Sequence, residues 1–194
     1  MDDQTTQPMT DLPSGSAVVT PSRFTLADRV RAALKDNPRA MTMQLAKDLE
    51  VPEVEIMRVW PDNRAVELDI ERWEELIRSL ELCGKVHVIV SNGATTIEAV
   101  GQFGGFSTWD EFFNVQTKSL DMHIRYRNLG AAFAVEKPSH MSGMNTLSIQ
   151  FYDVQGNSAF KVFLTFGESA PSSKLIEHFS QIRNDFRKRP DAKS

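Results

Sequence analysis

The stretch Leu80-Glu81-Leu82-Cys83-Gly84-Lys85-Val86-His87-Val88-Ile89-Val90-Ser91-Asn92-Gly93 decides the fold. Before it, Ile70, Trp73, Leu76, Ile77 and Leu80 recur at helical spacing and mark an amphipathic helix over about 69–82. After Gly84 the period drops to two. Val86, Val88 and Val90 fall on one side of a strand, and Ser91-Asn92-Gly93 supplies a tight hairpin turn. Helix therefore gives way to sheet at Gly84.

Upstream, the pattern stays helical. Thr25 or Ser22 can cap a first helix carrying Leu26, Val30, Ala33 and Leu34, which stops before Asn37-Pro38. A second helix holds Met41, Leu45 and Leu49. A third starts at Val51-Pro52-Glu53, carries Val54, Met57 and Trp60, and ends at Pro61. Residues 1–23, rich in Thr, Ser, Pro and Asp, read as a disordered tail. Downstream, Thr95 to Val100 returns along the hairpin, and Gly101, Gly104 and Gly105 mark a loop. Strands are expected at 110–116, 120–127, 130–137, 146–153 and 158–166, the last two joined by Gln155-Gly156-Asn157. Leu175, Ile176, Phe179, Ile182 and Phe186 form the stripe of a closing helix, and 188–194 is a basic tail. The fold class is α+β: N-terminal helices, a mainly antiparallel β-sheet and a C-terminal helix. One domain is expected over 24–187, with a helical part at 24–82 and the sheet with its helix at 85–187.

The chain has 194 residues, with 22 Lys and Arg against 26 Asp and Glu, for a net charge of −4. Such a length buries enough surface to need no disulfide or metal staple, and an acidic balance argues against nucleic acid as the ligand. No apolar run approaches the ~18 residues of a membrane span, and the polar N-terminus is no signal peptide. The single cysteine, Cys83, reads as a small buried residue. A reducing, cytoplasmic setting is expected. Leu45-Ala46-Lys47-Asp48-Leu49-Glu50-Val51 looks like the turn of a helix-turn-helix, which would make 52–60 a recognition helix. Two glutamates and one arginine there make a poor phosphate-binding surface, and a small helical bundle packed on the sheet is the plainer reading. The four histidines, His87, His123, His140 and His178, lack the helical spacing of a zinc site. No phosphate-binding loop or nucleophile motif occurs, so no enzyme chemistry is indicated.

The strand at 120–127, Leu-Asp-Met-His-Ile-Arg-Tyr-Arg, carries the most chemistry. Alternation puts Met122, Ile124 and Tyr126 on one face and Asp121, His123, Arg125 and Arg127 on the other. Neutral imidazole ligates iron, and guanidinium pairs with carboxylates such as haem propionates. The same pattern also suits an ordinary solvent-facing side. Lys137-Pro138-Ser139-His140-Met141-Ser142-Gly143-Met144 is a second polar cluster; its imidazole and thioethers can coordinate haem iron or simply pack.

With these blocks in view, residues 26–187 resemble the cytosolic haem-utilisation carriers of the HutX/ChuX type. The likeness rests on Leu45-Ala46, Val51-Pro52-Glu53, Leu80 to Val86, Phe112-Phe113-Asn114-Val115, Met122-His123-Ile124 and Glu136-Lys137-Pro138. The hairpin Phe151-Tyr152-Asp153-Val154-Gln155-Gly156-Asn157-Ser158-Ala159-Phe160-Lys161-Val162-Phe163-Leu164 matches well. The resemblance implies a homodimer that binds haem b in the cytoplasm and hands it to a haem-degrading partner. It makes His123 the iron ligand, with Arg125, Arg127 and Lys137 on the propionates and Phe112 and Phe113 over the ring. Phe112 and Phe113 stand where several members have tyrosines, and a phenyl ring does not ligate. The family's Phe-Met-Gly-Arg-Glu-Ser-His is replaced here by Ser139 to Asn145, so His140 or Met144 becomes the substitute ligand. The alternatives are a member of the fold that has lost haem and takes another anionic planar or lipid-like ligand, the helix-turn-helix regulator, and a haem-degrading enzyme, for which the sequence shows no distinct catalytic group.

Overall fold

The backbone changes period where the sequence does. A computed structural model describes residues 24–139, 142, 144–165 and 170–189; the expected tail at 1–23, His140 and the chain from Pro190 onward lie outside the described residues. Helices α1 (Leu26–Asp36), α2 (Thr42–Leu49) and α3 (Glu53–Arg58) come first. Thr25 caps α1: its side chain accepts from the Asp28 amide while the Asp28 carboxylate accepts from the Thr25 amide. Val30, Leu45, Ala46, Ile56 and Trp60 form a small core of their own between these helices.

Six strands make one antiparallel sheet: β1 (Ala65–Leu68), β2 (Lys85–Ser91), β3 (Thr96–Gln102), β7 (Leu129–Pro138), β8 (Asn145–Asp153) and β9 (Ser158–Phe163). Their order is β1-β7-β8-β9-β2-β3. Three more, β4 (Phe106–Trp109), β5 (Phe112–Gln116) and β6 (Asp121–Arg125), form a second antiparallel sheet in the order β4-β5-β6. Helices α4 (Trp73–Ser79) and α5 (Ser173–Asp185) complete the fold, α4 flanked by 3-10 turns. Two strands lie where none was expected. β1 falls inside the helical part at 24–82, and β4 follows the glycine loop. Gly105 makes the second possible: its φ is +63°, and a Cβ there would lie 2.0 Å from the Gln116 carbonyl oxygen.

At its β1-β7-β8 end the large sheet is covered on both faces. Ala132, Ala134, Ile149, Phe151, Phe160, Val162, Val86 and Val88 pack with α4, α5 and the inner side of the small sheet, where Phe113, Val115 and Ile124 sit. On the opposite face Phe133, Val135 and Tyr152 meet Val54 and Met57 of α3. The β8–β9 turn docks α3 directly, because the Val54 amide donates to Gly156 O at 3.0 Å. Val54 and Met57 are buried in this contact and Ile56 in the helical core, which leaves Glu55 and Arg58 as the exposed side of α3, paired with each other. The helices thus form a small bundle packed on the sheet, and the exposed pair on α3 is an ion pair and not a basic stripe.

Candidate functional site

Strand β6 presents its side chains as alternation requires, but only as far as Arg125. Ile124 is buried and Met122 half-buried, both turned to the core, while Asp121, His123 and Arg125 face out. The chain then enters a 3-10 turn over Tyr126–Asn128, so Arg127 leaves the strand face that alternation gave it. Its guanidinium lies 5.9 Å from the Tyr126 ring centre, and that ring stacks on Trp73 at 4.6 Å.

Antiparallel pairing sets Phe112 opposite Arg125 and Asn114 opposite His123. The Arg125 guanidinium lies 5.1 Å from the Phe112 ring centre and pairs with Glu111 at 3.0 Å. Phe112 and His123 meet edge to face at 6.3 Å. Trp109, paired with Phe112 in register and 73% exposed, extends the same face. Phe113 does not belong to it. It is wholly buried, with its ring 5.3 Å from Trp73 and 5.6 Å from Phe106, because neighbours on a strand point to opposite sides.

His123 is held by a residue not singled out from the sequence. Its Nδ1 lies 2.7 Å from Asn114 Oδ1. An amide oxygen only accepts, so Nδ1 carries a proton, and in the neutral ring the lone pair is on Nε2. The buried Asn114 amide donates to Ser107 Oγ at 3.1 Å, Ser107 to Gln116 Oε1 at 3.4 Å, and Gln116 Nε2 to Asp121 Oδ1 at 3.2 Å. The donors thus run in one direction across the three strands, from imidazole to carboxylate. Asp121 Oδ1 lies 3.6 Å from Nε2, beyond hydrogen-bond reach, and the imidazole side chain is 55% exposed. A nitrogen so oriented is ready to ligate a metal. His123 and Arg125 border a recess of about 310 Å³ beside the outer edge of β6, with Met122, Ile124, Val90 and Phe160.

The remaining candidates lie apart. Lys137, expected beside Arg125, is 8% exposed and lines a different cavity, under α2 and α3 on the helix-covered face of the large sheet. Burial, and then the neighbouring Lys161, push its ammonium down to about 8, while Glu53 acts in the opposite sense. Met144 is exposed in the turn before β8, where its carbonyl accepts from the Ser139 amide at 2.8 Å. His178 contacts the Ser79 carbonyl at 2.9 Å and His87 contacts Glu98 Oε2 at 2.9 Å. The Cys83 thiol is buried and pushed up to about 12, so it stays protonated. Among the described residues, no helix is long and apolar enough to cross a membrane.

Fold and site together define a small α+β protein that offers an oriented imidazole, an arginine and exposed aromatic rings on the open face of a three-stranded sheet. The profile of the haem utilisation ChuX/HutX family matches residues 66–182, more than half of the chain, and the protein belongs to that family. It is 23% identical over 141 residues to the intracellular heme transport protein HutX of Vibrio cholerae, covering 72% of each chain. The heme-binding protein ChuX shares its fold with a TM-score of 0.69 at 20% identity, over 80% of this chain and 97% of that one. The heme-degrading enzyme ChuS of Escherichia coli O157:H7 gives a TM-score of 0.69 at 21% identity; 85% of this chain matches 47% of ChuS.

Proposed function

We propose that this protein binds haem b reversibly, carries it within the cell and passes it to a haem-degrading partner, with His123 Nε2 as the iron ligand. The observation that carries the reading is the His123–Asn114 hydrogen bond, which fixes the tautomer and leaves Nε2 open beside Phe112 and Arg125. Family membership supports the ligand class, and the relative named as an intracellular heme transport protein supports the role. Arg125 takes a propionate by exchanging its exposed pairing with Glu111, a contact of little net strength in water. Phe112 and Trp109 cover part of the ring, whose apolar area drives much of the binding.

The recess beside β6 is smaller than a whole macrocycle, so the outer part of the ring needs a second surface. A second copy of the chain suits that need. Trp109 stands exposed on the site face, and the outer strand β3 carries exposed Ile97 and Val100. One iron bond from the protein suits a carrier, which must also release its load.

Titration of hemin into the protein and into His123→Ala, followed in the visible spectrum, tests the reading. The wild type is expected to show a shifted Soret band, and the variant a weaker affinity with a different band. Identical spectra and affinities would remove His123 from the site. Sedimentation with and without hemin reads the dimer.

A further inference from the structure

The hydrogen bonds that lead away from His123 end on a group that fixes their direction. Pairing across the small sheet sets Ser107 of β4 opposite Asn114 of β5, Asn114 opposite His123 of β6, and Gln116 opposite Asp121. Asn114 and Gln116 are two residues apart, so both stand on the face that carries His123 and Asp121. An amide can turn over and exchange its oxygen for its nitrogen, and a hydroxyl can rotate. Asn114, Ser107 and Gln116 therefore have no direction of their own. Asp121 has one, because a carboxylate only accepts. Its Oδ1 takes the Gln116 amide nitrogen, at 3.2 Å. That leaves Gln116 Oε1 toward Ser107, whose hydroxyl proton points to it across 3.4 Å. The Ser107 oxygen then has only lone pairs to offer Asn114, and it accepts from the Asn114 amide nitrogen at 3.1 Å. The Asn114 oxygen is left to face His123 Nδ1 at 2.7 Å, and Nδ1 donates. Turning Asn114 over would set its oxygen against Ser107, whose proton is already given to Gln116. Asn114 is 6% exposed, so water replaces a lost partner poorly there.

We propose that Asp121 is the positioning residue that sets the tautomer of neutral His123: acting through Gln116, Ser107 and Asn114, it keeps the proton on Nδ1 and the lone pair on Nε2. Its direct influence runs the other way, since a carboxylate beside Nε2 favours a proton on that nitrogen. Asp121 Oδ1 lies 3.6 Å from Nε2, too far for a hydrogen bond, and both side chains are more than half exposed, so water screens this contact. The relay acts through hydrogen bonds with a buried amide among them, and it prevails. The tautomer stands by itself. Its consequence for iron rests on the haem reading of the same site, because Nε2 offers its lone pair only in this form.

Two-bond proton–nitrogen correlation spectra of the haem-free full chain test the proposal. In slightly alkaline buffer, with the His123 signals assigned from His123→Gln, they read which ring nitrogen carries the proton. Wild type is expected to show the Nδ1–H form. Asp121→Asn, whose amide can donate or accept, and Ser107→Ala, which cuts the relay, are each expected to show a mixture of both tautomers. Ser107→Thr keeps the hydroxyl and is expected to match wild type. The decisive variant combines Asp121→Asn with Gln116→Glu. It moves the carboxylate one place along the relay, next to Ser107, and is expected to restore the Nδ1–H form although the charge beside Nε2 is gone. An Nε2–H form in wild type, an unchanged Nδ1–H form in both Asp121→Asn and Ser107→Ala, or no restoration in the double variant overturns the proposal. Hemin affinity is expected to fall roughly threefold in Asp121→Asn and Ser107→Ala, the weight of one weak hydrogen bond, and to recover in the double variant. Tautomers as expected with hemin affinity unaltered throughout would refute the haem reading alone.

Discussion

His123 and Lys137 are both polar residues on strands, and the protein treats them in opposite ways. His123 lies on a three-stranded sheet with one open face, so its outward position leaves the ring accessible and a neutral amide suffices to orient it. Lys137 lies on a sheet covered on both faces, so the same outward position takes it under helices and strips its ammonium of water. The lesson is that strand alternation assigns a face, while the layers stacked on the sheet decide whether that face is solvent. One of these side chains is a contact point at the surface. The other is a charge stored inside.

The contrast can be broken most strongly at Lys137. The unfolded chain holds this proton to about its ordinary 10.5, the folded one only to about 8. Between those values the unfolded state binds more protons, so stability rises with pH through that window. Lys137→Met removes the dependence. The variant is expected to be more stable than wild type at pH 7, on the order of 3 kcal/mol, with most of the gap gone by about pH 10. Urea unfolding at both pH values measures this, and equal stability at pH 7 would count against a penalised ammonium.

Next in size is the joint between helices and sheet. Gly156 has φ +87°, and a Cβ there would come within 2.6 Å of Val54 Cγ1 and 2.8 Å of Pro52 Cβ. Gly156→Ala is expected to lose about 2 kcal/mol of stability, read by thermal unfolding, while the hemin spectrum keeps its shape. On the open face, Asn114→Ala frees the imidazole to change tautomer, and hemin affinity is expected to fall roughly 10- to 100-fold with His123 still present. The smallest effect belongs to Arg125→Ala, about tenfold in hemin affinity. A salt titration should narrow its difference from wild type, because the guanidinium is exposed.

Much of the architecture was legible because periodicity is local. The helical stripe to Leu80, the valine alternation from Val86 and the Gln155-Gly156-Asn157 turn each define an element without reference to the rest of the chain. β1 and β4 were hidden by their shortness. Ala65 to Leu68 alternates, yet it lies between a 3-10 turn and a helical stripe, and Phe106 to Trp109 follows a run of glycines. On β6 the outward faces of His123 and Arg125 were legible from alternation, whereas Arg127 lies outside the strand, which ends at Arg125 in a 3-10 turn. Phe112 and Phe113 read alike as ring covers, although alternation alone separates them: one faces His123 and the other is core. Asn114 escaped because its role depends on the register between β5 and β6, which no local pattern states. Lys137 escaped because its cover comes from helices some eighty residues earlier in the chain.

β6 hydrogen-bonds to β5 and ends the order β4-β5-β6, so it is zipped along one flank. β8, by contrast, is clamped between β7 and β9. β6 therefore frays more readily than β8, and its backbone amides should exchange with deuterium well before those of β8. A ligand gripped by an imidazole on such a strand can depart by local peeling while the rest of the protein stays folded.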